Sequence, residues 1–413
     1  MLWKQRRDRL QWLLDLIRTM RGWTRGELST ALGRDPTKLV PASGNPKLDL
    51  VVGVAAALGW SVGDVVESIW LDRAGEEGLA ALPQDPREVA AVVDLARRER
   101  RWEDLRAAGV ALRLRATHSE ERALADHVIA SAWAGMGCFA TSLSVAQRGL
   151  AEPGVGFDLR ELLSVDVAAA HYALWNLVEA RAIASEILRS LEGREDGDLL
   201  RRLVAASARS VRGHASRRLM AVDLRSSARH AAEAIDQLEV AEREFRWLHD
   251  DFGDPADLGR AHTCRGGALE ARATIDPARG IDLVDSIVAG LDECVDVESF
   301  RESEVLESHG WWCIFGCNVA LRAPDADRTH RSIAILTNKA FEIADRLDHW
   351  AMRERAFTIE HFRRDRAACE VASFEEWVLD PEDLRVVMGT MGRFPGFRPI
   401  GWRILLESGV VDE

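Results

Sequence analysis

No proline interrupts this chain from Gly154 through Asp254, or from Asp325 through Asp380. Proline stops helices because it lacks an amide proton and its ring clashes with the carbonyl four residues back. Two long windows without it, rich in Ala, Leu, Arg and Glu and lacking any period-two alternation, favour long helices over strands. Helix-length segments recur in pairs at 87–98 with 101–116, 119–134 with 138–151, and 159–174 with 176–192. Further pairs fall at 196–219 with 223–247, 256–273 with 277–293, and 298–321 with 327–347, and a last helix covers 350–370. This recurrence lies near the period of about 34–40 residues found in helical-hairpin repeats.

The first 70 residues read differently, as a small bundle of five helices. Leu10, Leu13, Leu14, Ile17 and Met20 share one face of a first helix. Thr24 with Glu27 three residues on forms a capping box for a short second helix that Gly33 closes. Asp35-Pro36 signals a third start, an N-cap followed by proline at the first helical position, although Pro41 cuts that helix short. Leu48 to Leu58 forms a fourth helix ended by Gly59, and Ser61 opens a fifth. The second and third segments around Gly33 have helix-turn-helix spacing.

WTRGELSTALGRDPTKLV, followed by NPKLDLVVGVAAALGWSVGDVV, resembles the DNA-binding domain of the lambda-repressor/Cro-like (XRE) family. Thr24, Arg25, Glu27, Leu28, Gly33, Asn45, Pro46, Leu58, Gly59, Trp60 and Ser61 hold the places of the family pattern, with Arg25 where the family has a helix-capping Gln. The resemblance implies contact with double-stranded DNA. Thr37 and Lys38 are the side chains that would approach base edges, and Arg21, Arg25, Arg34 and Lys47 are better placed for phosphates. No Arg, Gln or Asn stands between Asp35 and Gly44 to grip a base in bidentate fashion. A bundle retained for packing or partner contact is the competing reading.

Residues 71–86, with Gly75, Gly78 and Pro83, read as a linker, and 87–380 as the helical repeats. NLVEARAIASEIL places Ala180, Ala184 and Ile187 where tetratricopeptide (TPR) repeats carry the small and apolar residues of their second helix. The expected fold is therefore all-α, an N-terminal five-helix HTH bundle followed by a TPR-like α-solenoid. Residues 381–413 form a C-terminal tail. Its segment MGTMGRFPGFRPIGW cannot continue the array and is expected to dock on the repeats or a second subunit through Phe394, Phe397, Ile400 and Trp402.

Charge divides unequally between these parts. Residues 1–60 carry ten basic and five acidic side chains, a net of +5, which leaves −18 for the other 353 residues. An acidic total of −13 thus excludes a general nucleic-acid coat but not a basic reading head. No apolar run approaches the roughly 20 residues needed to span a bilayer. The six cysteines are too few for a disulfide scaffold, so a cytoplasmic setting is expected.

The chain has 14 Trp and one Tyr, Tyr172. Indoles within repeat helices chiefly fill space beside Ala and Gly. The sharper reading is an aromatic groove for a short peptide or partner protein, with Trp311, Trp312, Trp175 and Tyr172 as candidates. His309, Cys313 and Cys317 share one helix face, and Cys264 or His262 could complete a site from another helix, but buried thiols explain them better than a metal. No nucleophile elbow, phosphate loop or dinucleotide fingerprint occurs, so neither enzyme activity, nor a cofactor, nor a metal is expected. These features together resemble peptide-responsive bacterial regulators, which implies a homodimer that binds DNA and a peptide. The alternative is an interaction scaffold with a degenerate HTH domain.

Overall fold

Helices form where the proline-free windows and the caps place them. The computed structural model describes residues 2–42, 45–60, 62–70, 83, 85–193, 198–294, 297–298, 300, 303–322, 326–370 and 377–410. Ser61 and nearly all of the 71–86 segment lie outside the described residues. The chain divides into two units, Met1–Ala81 and Leu82–Glu413.

In the first unit α1 (Leu2–Arg21), α2 (Arg25–Ala31), α3 (Leu48–Leu58) and α4 (Val62–Trp70) surround one core. Leu10, Leu13, Leu14 and Ile17 of α1 meet Leu28 of α2, Leu50 and Val54 of α3, and Val65 and Ile69 of α4. Burying each such side chain contributes roughly 1.5–3 kcal/mol. The capping box at α2 is complete: Thr24 Oγ1 accepts from the Glu27 amide at 3.3 Å, and Glu27 Oε2 accepts from the Thr24 amide at 2.8 Å. Gly59 ends α3 in the left-handed region at φ +71°.

Four helices form here among the described residues, and the expected third is a turn. Residues 35–40 are not helical. Pro41 would clash with the Thr37 carbonyl in a helix, leaving too few residues to offset the cost of nucleation. Asp35 instead builds a local turn, accepting at one oxygen from the Thr37 amide at 2.8 Å and the Thr37 hydroxyl at 2.6 Å. Leu39, 3% exposed, pins the turn into the core.

The second unit begins with the hairpins α5 (Pro86–Arg98) with α6 (Trp102–Arg115), α7 (Ser119–Gly135) with α8 (Phe139–Leu150), and α9 (Phe157–Ala173) with α10 (Leu177–Leu191). Next come α11 (Leu199–Val222) with α12 (Ser227–Phe252), α13 (Pro255–Ile275) with α14 (Gly280–Cys294), α15 (Ser303–Arg322) with α16 (Ala326–Arg346), and then α17 (Trp350–Glu370). Among the described residues seven inter-helix turns of this unit carry one left-handed residue each, a glycine at Gly137 (φ 73°), Gly154, Gly193 and Gly253, but Arg100 (φ 55°), Trp175 (φ 66°) and Asp348 (φ 47°) in the other three. For a residue with a Cβ this conformation costs roughly 1–2 kcal/mol. At Gly137 the lack of a Cβ is doubly required, since one would stand 2.7 Å from Trp350 Cβ. The indoles occupy room that glycine leaves, Trp102 over Gly135 and Trp312 over Gly266.

The tail is more regular than its composition implies. A short strand β1 (Trp377–Leu379) leads into α18 (Pro381–Arg393), then α19 (Arg398–Glu407) and β2 (Ser408–Val410), which pairs in parallel with β1. Phe394 and Phe397 are buried with Phe357, Leu379, Val387 and Ile404, and Ile400 packs against that cluster, whereas Trp402 is 58% exposed. Phe394 also meets Phe139 of α8 at 5.8 Å between centroids, and Arg393 Nε donates to the Met136 carbonyl at 3.0 Å. Arg100, in the first hairpin turn, pairs with Glu307 of α15 at 2.8 Å. The late elements of the superhelix therefore rest on its first two hairpins.

Candidate functional site

The basic side chains of the first unit divide into committed and uncommitted groups. Arg21 Nε donates to the Ala57 carbonyl at 3.0 Å, where the last turn of α3 leaves acceptors unsatisfied. Arg25 Nε donates to the Pro36 carbonyl at 3.2 Å and ties α2 to the turn. Arg34 pairs with Asp49 at 2.5 Å. The Thr37 hydroxyl is held by Asp35, whose carboxyl this bond and the Thr37 amide keep below its ordinary range. Lys38 and Lys47 are exposed, with no side-chain partner among the described residues.

In the second unit a cavity of about 640 Å³ opens between α5, α7, α9, α11, α13 and α15. One wall is apolar, built from Leu162 and Val165 of α9 and Leu200, Leu203 and Val204 of α11. Trp102, Trp311, Thr263 and the serines Ser131, Ser207 and Ser210 also line it, the last two on α11 beside the aliphatic residues. Its size falls within the few hundred to a thousand Å³ usual for small-ligand sites.

Charged groups in this wall are mostly paired. His127 Nδ1 lies 2.6 Å from Asp166, and Arg260 bonds Asp257 at 2.9 Å. Glu307 meets Arg100, His349 Nε2 at 3.0 Å and Trp311 Nε1 at 3.3 Å. Burial alone would raise the Glu307 carboxyl, but His349 and Arg100 hold it well below the usual range.

His214 of α11 lines the same cavity and is fixed from behind. Arg217 Nε donates to His214 Nδ1 at 3.3 Å, while its other nitrogens reach Glu270 at 2.5 Å and the Tyr172 hydroxyl at 3.2 Å. Burial, and then the nearby Arg217 and Arg218, push the imidazole far below its ordinary value, so it is neutral. An arginine can only donate, so Nδ1 is the acceptor and the ring proton sits on Nε2. That nitrogen is buried and has no partner, and neither has Arg100 Nε.

Of the four aromatic candidates, Trp311 lines the cavity. Trp312 instead packs between α13 and α15, its Nε1 donating to the His262 carbonyl at 2.8 Å. Tyr172 and Trp175 sandwich the guanidinium of Arg218, 3.9 and 4.4 Å from the two ring centroids. Burial lowers that guanidinium to about 10, which still leaves it charged at neutral pH. Sequence reasoning missed Arg100 and His214; the one available signal was the run SARSVRGHASRR, unusually rich in cations for a buried helix.

The cysteine-rich face has no exposed chemistry. Cys264, Cys313 and Cys317 are fully buried, and burial pushes the first two thiols up to about 12. Thiols of that kind are poor nucleophiles and poor metal ligands. Among the described residues His361, Asp365 and Glu407 stand close enough to share an ion, but both carboxylates are exposed and Arg403 lies 3.8 Å from Asp365.

No protein-family model matches the chain. No curated protein matches it either. Among solved structures the chain is similar to Bacillus thuringiensis PlcR, crystallised in complex with the peptide PapR7 and DNA. The two are 15% identical, the match covers 79% of this chain and 97% of that one, and the TM-score is 0.35.

Proposed function

We propose that the chain is a DNA-binding transcriptional regulator whose helical repeats sense a short peptide or partner protein, acting as a cytoplasmic homodimer without catalytic activity. The observation that carries this reading is the union, in one chain, of a first unit with HTH-like spacing whose residues 1–60 carry a net +5 and a second unit holding a ligand-sized cavity. In this reading Lys38 approaches base edges and Lys47 meets phosphates, and ligand uptake by the repeats changes the spacing of two heads across half-sites. Arg21, Arg25, Arg34 and Thr37 serve the same surface from positions already tied into the bundle.

Salt-dependent binding to duplex DNA tests the proposal. Affinity is expected to fall steeply as salt rises, and removing Lys47 is expected to reduce the slope by about 1. Absence of binding at low salt overturns it.

A second reading, an interaction scaffold with a degenerate HTH domain, is favoured by the turn at residues 35–40 and by the Arg34–Asp49 pair. Selection of bound DNA from a random pool separates the two. A recovered paired motif supports the regulator, and recovery of none supports the scaffold.

A further inference from the structure

The geometry points to an uncharged, carbonyl-bearing ligand with an apolar body as the occupant of the cavity. We infer this class from what the walls offer and what they lack, and the inference rests on the reading of the repeats as a ligand-sensing unit.

Charge is the first constraint. The lining contains three arginines, Arg97, Arg100 and Arg260, and three acids, Asp166, Glu304 and Glu307. Arg100 is already paired with Glu307, Asp166 with His127, and Arg260 with Asp257. Arg97 and Glu304 remain, one of each sign. A ligand with net charge of either sign would meet no compensating excess and would lose its hydration.

Hydrogen bonding is the second. Among the described residues four buried side-chain polar atoms have no partner, and two of them, Arg100 Nε and His214 Nε2, belong to residues that line this cavity. His214 is 7% exposed, and both atoms are donors, since guanidinium nitrogens cannot accept and Arg217 fixes the imidazole tautomer. Leaving such donors unmet is costly, so the complement is an acceptor without a proton of its own, a carbonyl oxygen. Ser131 and Ser207 add hydroxyls that bond to either amide face. The third constraint is the five-residue aliphatic wall of Leu162, Val165, Leu200, Leu203 and Val204, which takes an apolar chain or side chains.

Two sources carry this chemistry: the backbone of an uncharged peptide, or an acyl amide or ester with an aliphatic tail. The test titrates the full chain, by calorimetry and by tryptophan fluorescence reporting on Trp102 and Trp311, with matched octyl probes. N-octylacetamide is neutral and carries a carbonyl, octanoate is anionic, octylammonium is cationic, and a doubly capped tripeptide of Leu and Val represents the peptide source. At least one neutral probe is expected to bind tenfold or more tightly than both charged ones, and the tighter of the two identifies the source. His214→Phe keeps a ring but removes the donor, and Arg100→Lys keeps the charge for Glu307 but removes Nε. Each is expected to weaken the neutral probe about tenfold while leaving its weak binding of charged probes in place. Arg100→Lys guards against a folding defect in the His214 variant. Equal or tighter binding of a charged probe, no binding of any probe at millimolar concentration, or unchanged affinity in both variants overturns the assignment. Duplex binding by the same preparations is scored separately, so failure of the regulator reading and failure of the ligand class are told apart.

Discussion

Buried charge at single residues governs how rigid the cavity is. Glu270, 1% exposed, accepts from Arg217 Nη1 at 2.5 Å, Arg322 Nη2 at 3.0 Å and Asn318 Nδ2 at 3.4 Å. Burial pulls the Arg217 guanidinium down, and Glu270 and Tyr172 more than reverse the effect. Removing one partner of such a pair leaves an uncompensated interior charge, so Glu270→Gln is expected to cost about 3 kcal/mol in chemical denaturation. Arg322→Gln, at a guanidinium 35% exposed, is expected to cost less than about 1 kcal/mol. The same network sets a pH dependence. His214 has a folded pKa far below its ordinary 6.5, so the unfolded chain binds more protons as pH falls below that value. Stability is therefore expected to fall on acidification from pH 6.5, by up to about 1.4 kcal/mol per pH unit for one such group. His262 and His309 are lowered in the same direction, chiefly by burial, so His214→Phe should flatten the curve in part and not wholly. Denaturation midpoints between pH 5 and 7 check this, and an unchanged slope would refute it. None of this network is legible in the sequence, because Tyr172, Arg217, Glu270 and Arg322 lie on different helices and meet only after the superhelix forms.

Helices and turns show where a sequence speaks clearly and where it does not. The capping box at Thr24 and Glu27, the stop at Gly59, and the long α11 and α12 all follow from local chemistry that acts within a few residues. The segment at 35–40 carries a start signal, Asp35-Pro36, and a stop signal, Pro41, too close together, and Asp35 then spends its carboxylate on Thr37. Left-handed Arg100, Trp175 and Asp348 were invisible because no glycine marks them; Arg100 and Trp175 hold that conformation through contacts with Glu307 and with Arg218 and Arg355. Close helix packing gives the prediction at this scale. A Cβ on Gly259 of α13 would stand 2.4 Å from the Glu304 carbonyl oxygen of α15, so backbone meets backbone and neither can swing aside. Gly259→Ala is expected to destabilise the second unit by about 2 kcal/mol. Gly392 in α18 has nothing within 4 Å of its would-be Cβ and a negative φ, so Gly392→Ala is expected to stabilise it by about 0.5 kcal/mol. Thermal melts of the two variants should shift in opposite directions.

At the scale of the whole second unit, the decisive feature is that the end of the solenoid returns to its beginning. An open solenoid transmits stability only between neighbouring repeats, so it frays from whichever end is weakened. Here Arg393 reaches the Met136 carbonyl and stacks 3.7 Å over Trp350, while Phe394 packs on Phe139. The contacts with Met136 and Phe139 join residues some 250 positions apart, so the sequence announced a docking tail led by Phe394 but not the hairpin that receives it. They also mean that the tail contributes to the stability of hairpins it does not adjoin in sequence. Phe394→Ala removes a ring that is 4% exposed and should cost about 3 kcal/mol. If closure is energetic and not incidental, amide exchange in that variant should quicken in α8, at Phe139–Leu150, together with α18 and α19, while α12 changes least. Quickening confined to α18 and α19 would mean that the tail merely rests on the first hairpins. Coupled quickening would mean that the cavity between α5 and α15 is held by a closed circuit, so that a ligand binding there also tightens the ends of the chain that forms it.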